Sequence, residues 1–387
     1  MINIFLFLAL MFLLTYLFGI LFEKIRVPWI FAALFLGALL ALRNPFSGIT
    51  SSDTFVFLAE MGMYFLLFII GFEINLREIK RNGEFILKAT FTIIFLEAFF
   101  GSMVIHYVFD YGWFISGLVA LSFATVGEAV LIPILDEFNV AKTRFGQLII
   151  GIGSIDDIIE IFVLLVVILL IGSGTQMHHQ VAWTIGSLIF LGILTLVFIE
   201  EKDEGERFTF KGIENLFLFI MFLFFLFLGV GEYAEATPLT ALLAGVGIRH
   251  FIPHNRLKLI EREVKTMCYG FFAPIFFLWV GSTMDVGYLL AYPLLVLLVV
   301  AVSNSAKLLG SVMVGRKMLG MKKSILLGIG LSVRFSTSII VIKILFEHGL
   351  IDSKLYSVII ASSIAFKFIV PVLFSNLLVK WNIAENG

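Results

Sequence analysis

Gly151-Ile152-Gly153-Ser154-Ile155-Asp156-Asp157-Ile158-Ile159-Glu160 sets three carboxyl groups into a run that carries no other charge from Phe145 to Gly172. A charge at mid-bilayer depth costs about 2.5–3.5 kcal/mol, so acids in such a place ask for a reason. Neighbours on a helix point about 100° apart, which turns Asp156 and Asp157 towards different partners. Asp156 and Glu160 are four residues apart and share a face. Desolvation raises a carboxyl pKa and a nearby cation lowers it. In a dyad under both influences, protons and metal cations are expected to compete for one carboxylate.

The surroundings make this segment one span among many. Of 387 residues, 60% are apolar, 14% are charged and 44 are phenylalanine, with a mean hydropathy of +1.07. Soluble domains are nearer 45–50% apolar and 25% charged, so a water-soluble enzyme is excluded. A net charge of −1 without a long basic run excludes a nucleic-acid binder. Cys268, the single cysteine, excludes a disulfide framework and multi-cysteine metal sites. Met1-Ile2-Asn3 lacks the positive region of a signal peptide, so the first apolar run is expected to be a span.

Apolar runs of spanning length lie near 3–22, 28–42, 54–75, 86–108, 113–136, 145–172, 181–199, 213–230, 236–251, 267–287, 289–314, 324–347 and 355–380. Continuous runs of this kind are helices, because hydrocarbon leaves every backbone polar group to be satisfied within its own segment. The expectation is an all-α polytopic membrane protein of about 13 transmembrane helices. Loops after odd-numbered helices, with the C-terminus, hold 21 of the 27 basic residues, and the opposite side holds only Arg43 and Lys354. The positive-inside rule then puts the N-terminus outside and the C-terminus in the cytoplasm of a cell (inner) membrane.

The most polar loop, Glu200 to Arg207, falls near the middle of the chain and is too short to fold alone. Its position suggests a first repeat over 1–180 with core helices near 86–172. A connecting helix and charged loop would occupy 181–212, and a second repeat 213–387, with core helices near 289–380. An odd offset of seven helices inverts the second repeat, a plan common in secondary transporters.

Besides the acids above, Glu97, Glu128, Lys307, Arg334, Lys343 and Lys367 lie inside expected spans. Lys307 shares a small polar stripe with Ser303, Asn304, Gly310 and Ser311, and Asp156 is its natural counter-ion. Ser122-Phe123-Ala124-Thr125-Val126-Gly127-Glu128 interrupts the fifth helix. Gly328-Ile329-Gly330-Leu331-Ser332-Val333-Arg334-Phe335-Ser336-Thr337-Ser338 interrupts the twelfth. Paired interruptions at matching places in two repeats point to a transport site, lined here by Ser122, Thr125, Ser332 and Ser336. Unwound carbonyls would ligate a cation, and the half-helix ends would be neutralised by Glu128 and Arg334. Glu97, Lys343 and Lys367 are equally well explained as clips between helices. No histidine stands at metal-ligand spacing from a cysteine or carboxylate, so neither a cofactor nor a metal beyond an alkali cation at Asp157 is expected.

These features together resemble the monovalent cation:proton antiporter-2 family of sodium/proton and Kef-type potassium/proton antiporters. The resemblance spans essentially all thirteen helices. It rests on Asp156-Asp157, Lys307, the two interrupted helices, and Phe65-Leu66-Leu67-Phe68-Ile69-Ile70-Gly71-Phe72-Glu73-Ile74, similar to the family's third-helix pattern. It implies a core domain in which the two broken helices cross, a dimerisation domain, and a homodimer. It also implies that Asp157 binds the ion or proton while Asp156 pairs with Lys307. Two departures stand out. Phe335-Ser336 follows Arg334 where the family often has Gly-Glu, and Glu128 and Glu160 are additions to the usual pattern. No soluble nucleotide-binding domain of the kind many Kef-type members carry is expected.

The function so implied is exchange of Na+ (or Li+, with K+ as a further candidate) for H+ by alternating access. A Kef-type K+/H+ antiporter is the close alternative. A sodium-coupled organic-anion symporter would need a roomier cationic site than these clustered carboxylates offer. A channel would be expected to build its pore from subunit symmetry.

Overall fold

The computed structural model describes residues 3–24, 28–73, 83–124, 135, 140, 143–172, 213–233, 236–252, 254–333, 336–381 and 383. Its elements are helical. They are α1 (Ile4–Lys24), α2 (Phe31–Leu42), α3 (Ser47–Thr50), α4 (Asp53–Glu73), α5 (Glu84–Phe109), α6 (Trp113–Ala124), α7 (Arg144–Gly172) and α8 (Ile213–Tyr233). There follow α9 (Thr237–Phe251), α10 (His254–Met267), a π-helical turn (Cys268–Phe272), α11 (Ala273–Ser282), α12 (Val286–Ala291), α13 (Pro293–Gly330), α14 (Ser336–Glu347) and α15 (Ser353–Lys380). Among the described residues, seven helices are long and apolar enough to cross a membrane, and α2 and α6 are shorter apolar helices. The expected span at 181–199 lies outside the described residues.

Two compact units emerge. The first gathers Met1–Phe7, Phe46–Ile74 and Leu165–Trp279. Its helices meet through residues without side chains: a Cβ at Gly71 would run into the Leu242 carbonyl, and one at Gly245 into the Phe68 carbonyl. Small residues let backbones approach closely where lipid supplies no hydrophobic drive between helices. Beside this contact Phe65 stacks on Phe224 and Phe272, with centroids 4.4 and 4.7 Å away. Arg249 closes the unit by donating to the Phe72 carbonyl at 2.5 Å, satisfying an oxygen near the end of α4.

The second unit gathers Leu8–Pro45, Asn75–Leu164 and Val280–Gly387. In it α5 shows the inverted pattern of a membrane helix. Phe91, Phe95 and Phe99 make an exposed apolar stripe, while Thr90, Ile93, Ile94 and Glu97 are buried. The turn after α5 uses a left-handed Asp110 (φ 59°, ψ 36°), a conformation short polar side chains tolerate.

The long α13 is a hairpin rather than one rod. Gly320 breaks it with φ 78° and ψ 169°, values open to glycine alone. A Cβ at Gly328 would meet the Leu308 Cα at 2.9 Å, and one at Gly315 the Ser324 hydroxyl at 2.6 Å, so the two limbs run antiparallel. The sequence spans at 289–314 and 324–347 correspond to the first limb and to the second limb continued by α14. After Gly330 the helix is interrupted, Leu331–Val333 being non-helical. The twelfth span is therefore broken where its hydroxyl-rich stretch suggested. The interruption expected in the fifth, at 122–128, runs beyond α6 into residues outside the described set.

One boundary differs from the sequence expectation. Apolar content puts the tenth span at 267–287, yet the helical path begins at His254 and continues through the π turn to Ser282. An apolar window stops at the charges of 254–265, whereas backbone hydrogen bonding carries on through them.

Candidate functional site

Lys307 lies on the first limb of α13 with none of its side chain exposed. Close helix contact puts it there. Gly310, one turn on, brings the limb within 3.0 Å of the Ile93 Cα on α5, measured from an ideal Cβ. The ammonium then faces Glu97, also on α5, with Nζ 3.2 Å from Oε2 and both side chains buried. The hydroxyl of Ser303, one turn before Lys307, donates to the other oxygen of Glu97. Lys307 also donates to the Leu331 carbonyl at 2.6 Å. That oxygen belongs to the broken segment.

A second stitch holds the same break. Ser332 donates to Asn304 Oδ1 at 3.1 Å and to the Gly328 carbonyl at 2.9 Å. Ser303, Asn304 and Lys307 therefore bind two things at once, a carboxylate on α5 and the unwound turn after Gly330. Asp156 and Glu160 are both buried on α7, one turn apart as their spacing required.

The energetics of the Lys307–Glu97 pair are close to balanced. At 3.2 Å and an effective dielectric constant near 20 the attraction is about 5 kcal/mol. Each charge placed at mid-membrane depth costs roughly 3 kcal/mol. A buried pair in this balance contributes little to stability, although removing one partner is costly.

Of the residues singled out from sequence, Lys307, Ser332, Asp156 and Glu160 are buried in the second unit. Ser122 is buried on α6 and donates to the Leu118 carbonyl at 2.8 Å. Ser336 is the first residue of α14 and Asp157 is in the helical run of α7; their side chains lie outside the description. Thr125, Glu128 and Arg334 also fall outside the described residues. Glu97, equally well explained from sequence as a clip, is a carboxylate that meets Lys307. Its signal was available: Thr90, Glu97 and Gly101 fall on the face of α5 opposite the exposed phenylalanines. Lys343 belongs to another cluster, with Glu347 at 2.5 Å and Thr283 at 3.1 Å.

The sequence profile of the transmembrane sodium/hydrogen exchangers matches residues 9–380. The chain belongs to the sodium/hydrogen exchanger family. Relatives include the probable Na+/H+ antiporter 3 of Methanocaldococcus jannaschii, 24% identical over 341 residues and 84% of each chain. The high-affinity Na+/H+ antiporter NhaS3 of Synechocystis sp. is 25% identical over 83% of this chain and 70% of its own. Among solved structures, the sodium proton antiporter MjNhaP1 of M. jannaschii superposes with a TM-score of 0.62 over 97% of both chains at 16% identity. The exchanger fold, a multi-pass all-helical membrane protein, is thereby established for this family member.

Proposed function

We propose that the protein is a secondary antiporter exchanging Na+ (or Li+) for H+ across the cell membrane by alternating access. The observation that carries this reading is the buried Lys307, tied to Glu97 and to the Leu331 carbonyl at a broken helix, in a chain whose family is that of sodium/hydrogen exchangers. Carboxylates at a helix break recognise small cations, and an ammonium among them competes with those cations for the same oxygens. Na+ binds a carboxylate there only as the ammonium or a proton gives way, so cation and proton alternate at one place.

In this reading Asp157 is protonated or cation-bound, and Asp156 releases and recaptures Lys307 as the ion arrives and leaves. Thr125, Ser336 and Ser332 line the broken segments, with Glu128, Arg334 and Glu160 adjusting the charge. The inverted repeats fall at 1–180 and 213–387 about the connector at 181–212. The protein works as a homodimer with the N-terminus outside and the C-terminus in the cytoplasm. K+/H+ exchange is a second reading, favoured by likeness to the glutathione-regulated potassium-efflux protein KefC of Enterobacter sp., 25% identical over 65% of this chain.

The test is proton flux in proteoliposomes after pulses of Na+, Li+ or K+. A Na+- or Li+-evoked signal that disappears in Asp157→Asn is expected. A K+-only signal selects the second reading, and robust exchange by Asp157→Asn overturns the site.

A further inference from the structure

We infer that Glu97 is a positioning residue for the cation site: it shares Lys307 with Asp156 and draws the ammonium away when Asp156 gives up its hold. The inference rests on the proposed exchange at Asp156 and Asp157 and adds a residue to it. Two observations carry it. Glu97 is 1% exposed and its Oε2 lies 3.2 Å from the Lys307 ammonium, on a helix other than the one bearing the aspartates. Ser303 holds its second oxygen, which fixes the carboxylate's place while Oε2 faces the ammonium.

The carboxyl groups of Glu97, Asp156 and Glu160 are all buried in the unit that contains Lys307. An ammonium with one buried carboxylate partner would leave it only by becoming uncompensated, at a high cost. A standing second partner removes that obstacle. Lys307 can then leave Asp156 to a cation without losing its proton or its counter-charge. Glu97 acts through Lys307 and touches no transported ion.

Removing the Glu97 charge should leave Lys307 more firmly on Asp156, in competition with Na+. Two measurements on the full-length protein test this: the KM for Na+ of proton exchange in proteoliposomes, and Na+-dependent thermal stabilisation in detergent, with choline as control. The second needs no turnover. Glu97→Gln is expected to raise both the KM and the half-stabilising Na+ concentration about tenfold, with a smaller effect on kcat. Glu97→Asp, which keeps the charge on a shorter arm, should shift both less. In an Asp156→Asn background Glu97→Gln should add less than about twofold, since the competitor for the lysine is gone.

Wild-type Na+ affinity in Glu97→Gln, or in Glu97→Asp should the amide variant not fold, overturns the inference. So does an undiminished shift in the Asp156→Asn background, which would mean that Glu97 acts independently of Asp156. Unaltered Na+ affinity in Asp156→Asn alone refutes the underlying reading of Asp156, a result separate from the first two.

Discussion

Among the described residues of the second unit two lysines are fully buried, Lys307 and Lys343, and their surroundings differ in kind. Lys307 meets a carboxylate from another helix, itself 1% exposed, and a carbonyl of the broken segment. Lys343 meets Glu347 one turn along its own helix, and that side chain is 41% exposed. The Thr283 hydroxyl and the faces of Phe346 and Tyr356, at 5.3 and 5.6 Å, also lie against it. A local partner with access to water makes Lys343 a fastening between elements. Partners distant in sequence, without such access, make Lys307 a charge whose position depends on how the helices are arranged. Burial alone does not distinguish the two. The partner's own exposure does.

The comparison is broken most directly at Lys307. Lys307→Met strands Glu97 in an apolar interior and should lower stability by about 3–5 kcal/mol. Exchange should fall at least about 100-fold in kcat/KM, the first read as loss of Tm and the second by proton flux. Glu347→Gln tests the other cluster from its carboxylate side. It leaves the Lys343 ammonium with a hydroxyl, an amide oxygen and two rings, for a loss of about 1–3 kcal/mol and exchange within about threefold of wild type. Ser303→Ala removes a hydrogen bond to a buried charge and should cost about 1.5 kcal/mol, with a measurable change in Na+ KM. Lys343→Met should be mildest, below about 1 kcal/mol. Its partner can turn to water, and Thr283 still donates to the Val280 carbonyl at 3.0 Å. Equal losses from Lys307→Met and Lys343→Met, in stability or in transport, would erase the distinction.

How much of this was legible in the sequence follows from the range over which each feature is determined. The spans were legible because lipid demands long apolar runs, and even the short α2 and α9 appear where 28–42 and 236–251 were read. The break after Gly330 was legible because glycines and hydroxyls interrupt an otherwise apolar helix. The stripe Ser303, Asn304 and Lys307 was legible from i, i+3/i+4 spacing. What lay at its far side was not. Glu97 and Lys307 are far apart in the chain, and periodicity reports which residues share a helix face, never which second helix that face meets. A lone Glu97 among phenylalanines is equally well explained as a clip, so spacing alone does not join it to Lys307.

The Lys307 contact with Leu331 has a practical consequence for anyone redesigning ion choice. The acceptor is main chain, so no side-chain replacement at position 331 deletes it. Variants that retune this part of the molecule must therefore be sought at Glu97, Ser303 and Asn304. A library that randomises the broken segment alone would leave the lysine's anchor in every member.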